Sequence, residues 1–241
     1  MDSLSFLVVA LLSGAIAGTI LGIVNLALVE PYLDKAIGIE VKNAISEGEQ
    51  VDPIEHLSYR FWQKGGEIVA GTVLGMSYGA LLGIVFAFGR SIVPGSNIKK
   101  AIALAGVIWL VVFMIPAIKY PANPPTVGDP DTINYRESLF ISFILISGFT
   151  ALGLTIIYSK WKAKSSLKFL MISIIYAVVM TGAFIAIPPN PDKITTPMDL
   201  VNGFRIMSIL TTTLFWIVLG IVFGLLWEKL KPHERTEFKA A

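Results

Sequence analysis

The sequence predicts an all-α integral membrane protein of about six transmembrane helices arranged as tandem hairpins, and three observations carry that reading. The first is composition. Of 241 residues, 54% are hydrophobic and only 15% are charged, and the mean hydropathy is +0.72; soluble globular chains are far less apolar. The second is the presence of six apolar runs, each near the roughly 20 residues a helix needs to cross a bilayer core. The third is a pair of proline-dense segments, Tyr120-Pro-Ala-Asn-Pro-Pro-Thr-Val-Gly-Asp-Pro-Asp-Thr132 and Ile187-Pro-Pro-Asn-Pro191. Each lies between two apolar runs. Proline lacks the N–H donor and clashes with the preceding turn, so each segment must be a stiff turn between two rods.

The six spans are expected at Leu4–Val29, Glu67–Phe88, Ala101–Ile118, Leu139–Tyr158, Leu167–Ile187 and Gly203–Trp227. Together with their connections they form a single membrane domain, 1–241, with no space for a soluble catalytic domain. The first span follows Met1-Asp-Ser-Leu-Ser, which has an acid where a signal peptide carries basic residues, so this helix is expected to be retained. The second and third hairpins read as a same-orientation repeat. Both contain an Asn-Pro within a proline cluster, Pro121-Ala-Asn-Pro124 and Pro189-Asn-Pro191, and Asp131, Asn134 and Arg136 recur as Asp199, Asn202 and Arg205. An even number of helices per unit relates such repeats about an axis along the membrane normal.

Charge sets the expected orientation. The N-terminus, 89–100, 159–168 and the tail 228–241 carry eleven Lys/Arg against four acids; the alternate connections carry eight against thirteen. Lys and Arg in short loops mark the cytoplasmic side. A multi-pass protein of the cell membrane with both termini cytoplasmic follows, with the proline turns and the acidic segment 30–66 outside. Segment 30–66 is expected as an outer loop with short interfacial helices at Val41–Gly48 and Pro53–Gln63. Within it, Tyr59, Phe61 and Trp62, flanked by Arg60 and Lys64, have the composition of a headgroup-level anchor.

Glycines recur every four residues at Gly71, Gly75, Gly79 and Gly83, at Gly14, Gly18 and Gly22, and at Gly220 and Gly224. That spacing lines one helix face with bare backbone. The main expectation is close helix packing; the other is a narrow pathway. Asn25 lies within the first span and is expected to bond across helices, because polar groups in a bilayer face the bundle interior. Pro116 should kink or end the third helix near Lys119.

Candidate metal ligands are few. Asp129, Asp131, Asp192, Asp199, Glu30 and His56 are the oxygen and imidazole donors of the outer face, and such donors suit divalent first-row ions. Asp129 and Asp131 also fit a turn-forming and capping role. Met76, Met114, Met171, Met180 and Met207 are scattered without Met-x-x-Met pairing, which favours core filling over Cu(I) binding. Cysteine is absent, there is no phosphate-binding Gly-Lys loop, and the two histidines cannot form a His-Glu-x-x-His site. An enzyme is not expected, nor a tightly bound cofactor or a nucleic-acid partner.

The stretch Lys119-Tyr-Pro-Ala-Asn-Pro-Pro-Thr-Val-Gly-Asp-Pro-Asp-Thr-Ile133, after a helix ending Ile115-Pro-Ala-Ile, resembles the signature of the CbtA family, cobalt transporter subunits linked to cobalamin supply. The first helix, with Ala10-Leu-Leu-Ser-Gly-Ala-Ile-Ala-Gly18, agrees more loosely. The resemblance implies that Tyr120, Pro121, Asn123, Pro124, Gly128, Asp129, Pro130 and Asp131 form the functional outer loop. It also implies transported Co²⁺ or a similar ion, and a small single-helix partner, CbtB, bearing histidines. This chain departs from the pattern in having only His56 where many members carry a histidine-rich stretch, and six expected helices where many have five.

The expected function is therefore a membrane subunit of a divalent-metal, cobalt-type uptake system. Ions gathered at the acidic outer face would pass between the glycine-lined helices. The alternative is a non-catalytic scaffold subunit whose glycine faces dock neighbours within a larger membrane complex; a carrier for a small organic solute is more remote.

Overall fold

The computed structural model describes residues 2–50, 52–161 and 165–232. Lys162, Lys164, His233 and the end of the expected tail lie outside the described residues. Those described form helices and connections with no strand. The helices are α1 (Ser3–Leu28), α2 (Glu30–Ser46), α3 (Pro53–Gly89), α4 (Asn97–Ile108), α5 (Ile115–Lys119), α6 (Ile133–Lys160), α7 (Ser165–Ala186) and α8 (Met198–Leu230). A π-helical stretch, Trp109–Met114, joins α4 to α5, and a 3-10 turn, Pro130–Thr132, leads into α6. Among the described residues, six helical stretches are long and apolar enough to cross a membrane: α1, α3, Asn97–Lys119, Pro130–Lys160, Ser166–Ala186 and α8.

Segment 30–66, expected as a loop with short helices at Val41–Gly48 and Pro53–Gln63, is more helical than that: α2 covers Glu30–Ser46, and the helix starting at Pro53 runs on into the second span. Pro31 sits at the start of α2, where a missing N–H costs nothing. Asp52 caps α3 by accepting from the Ile54 and Glu55 amides at 2.8 and 3.4 Å, and Pro53 follows as the first helical residue. The second span therefore begins fourteen residues before the apolar run. At 37 residues, α3 is about 55 Å long, against a bilayer core of about 30 Å. Hydropathy did not show that the helix expected at Pro53–Gln63 is continuous with the span, because capping and ion pairing, not apolarity, hold its first four turns. Tyr59, Phe61 and Trp62 lie on that extension, and Phe61 and Trp62 are each about 80% exposed.

The chain divides into two compact units: residues 1–107, 124–126 and 196–241, and residues 108–123 and 127–195. The first is centred on α1, α3 and α8. The glycine ladders of α1 and α3 meet backbone to backbone. A methyl added at Gly14 would overlap the Gly75 carbonyl, one at Gly71 would sit 2.8 Å from the Gly18 oxygen, and one at Gly22 would sit 2.7 Å from Ile68 Cα. A pathway between these two faces, the other expectation for the ladder, has no room for an ion. Lipid is as apolar as the side chains, so dispersion between close backbones supplies the attraction. Thr19 and Thr72 add a hydroxyl contact of 2.8 Å across the seam.

On α8, Gly220 and Gly224 admit α4: a methyl at Gly224 would meet Ile98 Cα at 2.6 Å. An aromatic cluster fills the rest of this core. Phe86 lies 4.6 Å from Trp227 and 5.1 Å from Phe223, and Tyr78 lies 5.1 Å from Trp216, ring centre to ring centre.

The second unit contains the π-helical stretch, α5, α6 and α7. Pro116 does more than end a helix. The Ile115 amide reaches back to the Leu110 carbonyl rather than to Val111, so the widened turn frees the Val111 carbonyl. Ser147 on α6 donates to that carbonyl at 2.6 Å, and Tyr176 on α7 bonds Ser147 at 2.7 Å. One proline-induced irregularity thereby ties three helices together. Gly148, Gly153 and Gly182 of this unit face open space.

Candidate functional site

Two polar assemblies stand out, one in each unit. In the second unit the proline turns lock together through Asp192, whose side chain is only 6% exposed. Its carboxylate accepts from Arg136 Nε at 2.9 Å, from Thr132 Oγ1 at 2.8 Å and from the Asp129 amide at 3.1 Å. Arg136 Nε also points at Thr132 Oγ1, 2.9 Å away, and Arg136 Nη2 donates to the Asp129 carbonyl at 3.1 Å. The Asn190 side chain accepts from the Asp192 amide at 3.0 Å, which aims the carboxylate. Gly128 completes the arrangement. Its φ of +113° favours glycine, and a methyl there would lie 2.5 Å from Arg136 Nη1 and 2.8 Å from Asp192 Oδ2.

The start of the motif is anchored just as firmly. Tyr120 donates its hydroxyl to the Pro188 carbonyl at 2.5 Å, and its ring stands edge-on to Phe143 at 6.0 Å. Lys119 Nζ donates to the Phe184 carbonyl at 2.6 Å, placing a cation at the carbonyl end of α7 where the helix dipole favours it. In the first unit, Thr126 and Thr196 bond through their hydroxyls at 2.8 Å, and Pro124 is fully buried.

Asp129 is a turn-former here: its side chain accepts the Asp131 amide at 2.9 Å. The Asp131 side chain is exposed. These two acids, the surface-facing part of the clasp, are its exposed carboxylates.

The second assembly joins α2 to α3. Glu30, 5% exposed, receives Arg60 in an ion pair and has Lys64 Nζ at 3.7 Å. Asp34 receives Arg60 and Lys64, each at 2.8 Å. Burial raises the Asp34 carboxyl, but hydrogen bonds and charge from Lys64 and Arg60 outweigh it and hold the group below its usual range. Asn25 of α1 lies beside Glu67 of α3, and its Oδ1 is buried without a hydrogen-bond partner among the described residues. Glu30, a candidate outer-face metal ligand in the sequence, is paired with Arg60 and has Lys64 nearby. His56 lies in the first turns of α3, half-buried. Among the described residues, no three His, Asp or Glu side chains gather to hold a metal ion. Thr132, Arg136, Arg60 and Lys64 are not among the candidate ligands read from the sequence, and Asp192, read there as an outer-face donor, serves instead as the acceptor that joins the two turns. The legible signal was Asn190-Pro-Asp192, a turn-capping pattern beside a recurring Arg.

A model of the family described as "Probable cobalt transporter subunit (CbtA)" matches residues 4–228. The chain belongs to the CbtA family. The match covers both assemblies and all six spans, so this CbtA-family chain is a multi-pass membrane protein and a subunit of a cobalt transport system. Subunit status implies other subunits. No curated protein and no solved structure matches the chain.

Proposed function

We propose that this CbtA-family protein works in the uptake direction, with the proline clasp facing outward and both termini cytoplasmic. The single observation that carries the reading is the exposed pair Asp129 and Asp131 on a clasp whose other charges, Arg136 and Asp192, cancel. A rigid turn bearing uncompensated carboxylates raises the local concentration of Co²⁺ or a similar divalent ion and releases it easily, because sparse oxygen donors bind weakly. Glu30 and His56 are secondary donors at most, and the route does not run between α1 and α3.

The chain acts as one membrane domain without enzymatic activity or a resident cofactor, a reading supported by a family match that runs through both units. The recurring Asn-Pro turn with Asp131/Arg136 and Asp199/Arg205 supports a same-orientation repeat of the second and third hairpins. Membrane lipid and a small single-helix subunit are the proposed partners. A scaffold role remains the rival reading, though the glycine faces of α1, α3 and α8 that would dock neighbours are occupied within the first unit.

Radiolabelled cobalt uptake into vesicles containing the whole system tests this. Asp129→Asn with Asp131→Asn keeps the turn's hydrogen bond and removes only charge. Uptake should fall several-fold at low ionic strength, and the deficit should shrink at 0.5 M salt as screening takes over. Wild-type uptake at every salt concentration would remove these acids from the mechanism. Transport no faster than in empty vesicles, with stoichiometric partners co-purifying, would favour the scaffold.

A further inference from the structure

A groove of about 520 Å³ runs along α2 beside the start of α8, lined among others by Tyr32, Lys35, Ile39, Lys42, Asp199 and Leu200. Its position is fixed by packing. Tyr32 lies so close over Gly203 that a methyl there would overlap the ring, with Tyr32 Cδ1 at 3.0 Å. α2 begins two residues after α1 ends, and α8 is itself a span, so the groove lies where two membrane helices reach the headgroup level. α2 is not among the helices apolar enough to cross the bilayer.

The chemistry of the lining is mixed in a particular way. Lys35 and Lys42, seven residues apart and therefore on one helix face, are both exposed. Lys35 Nζ stands 5.7 Å from the Tyr32 ring centre, so the ring keeps the ammonium at the groove wall. Ile39 lies between the lysines in sequence, and Leu200 is buried. Two cations above an apolar floor at the edge of a bilayer complement a phosphate attached to acyl chains. Free phosphate would leave that floor in water.

We propose that this groove binds the headgroup of an anionic phospholipid, the phosphate between Lys35 and Lys42 and the upper acyl chain against Ile39 and Leu200. Asp199 opposes the phosphate and limits the affinity. Bound lipid would fix α2 at the membrane surface through this one lysine-bearing face.

The test uses the purified full chain in a zwitterionic detergent, titrated with dioctanoyl phosphatidylglycerol, dioctanoyl phosphatidylcholine or inorganic phosphate and read by native mass spectrometry. Phosphatidylglycerol should bind best. Lys35→Gln with Lys42→Gln should weaken it about thirtyfold, since each interfacial lysine is worth about a factor of five. Asp199→Asn should tighten it, and the charge-matched control Lys99→Gln with Lys100→Gln should leave it unchanged. The proposal is overturned if the Lys35/Lys42 variant binds like wild type. An equal loss in the Lys99/Lys100 control, or inorganic phosphate binding as well as the lipid, would overturn it too.

Discussion

Gly75→Leu is expected to yield no folded protein in the membrane, whereas Gly148→Ala and Gly153→Ala are expected to fold and melt as wild type does. The contrast follows from what surrounds each glycine. An added Cβ at Gly75 would overlap the Gly14 carbonyl and lie 2.7 Å from Gly18 Cα and 2.9 Å from its nitrogen. These neighbours are backbone, which cannot swing aside as a side-chain tip can, so α1 and α3 must separate along their whole seam. Even Gly75→Ala should cost about 2–3 kcal/mol, the upper part of the range for overpacking a tight interior. At Gly148 and Gly153 nothing lies within 4 Å of the added carbon. There the change only removes backbone freedom and is neutral or slightly stabilising. Thermal melting of the detergent-solubilised protein, followed by size-exclusion, separates the two cases. Equal tolerance at Gly75 and Gly148 would mean that the ladders do not touch.

Asp192→Ala should destabilise the second unit by about 3–5 kcal/mol, the usual cost of removing one partner of a buried ion pair. The carboxylate is almost fully enclosed, and its loss leaves Arg136 Nε, the Thr132 hydroxyl and the Asp129 amide without their shared acceptor. Asp131→Ala, by contrast, removes an exposed side chain and should change stability by no more than about 0.5 kcal/mol. Differential melting read by proteolysis within 119–132 would report the clasp. A variant at Asp192 as stable as one at Asp131 would show that the two turns do not depend on each other.

Much of the fold was legible because a bilayer simplifies the problem. Apolar runs of helix length announce spans, and glycines at four-residue spacing announce a packed seam such as that of Gly14, Gly18 and Gly22 against Gly71 and Gly75. The extension of α3 back to Pro53 was not legible from hydropathy, because Asp52 capping and the Arg60 and Lys64 ion pairs hold it instead. Pro116 predicted an interruption, but not that the Val111 carbonyl released by it would be taken up by Ser147 from another helix. The clasp was half visible. Asp129 and Asp131 drew attention through turn chemistry and Gly128 through the family resemblance, while Arg136 and Asp192, separated by the rest of α6 and all of α7, meet only once the chain has folded.

Sidedness is the claim on which the uptake reading rests, and the absence of cysteine makes it directly measurable. Single cysteines placed at the exposed positions Asp131, Lys193, Lys99 and Lys160 report their side through a membrane-impermeant maleimide applied to intact cells. Asp131→Cys and Lys193→Cys should be labelled, and Lys99→Cys and Lys160→Cys should react only after the membrane is opened. Reaction of Asp131→Cys and Lys193→Cys only after the membrane is opened would place the acidic turns away from the ion source and contradict uptake through them.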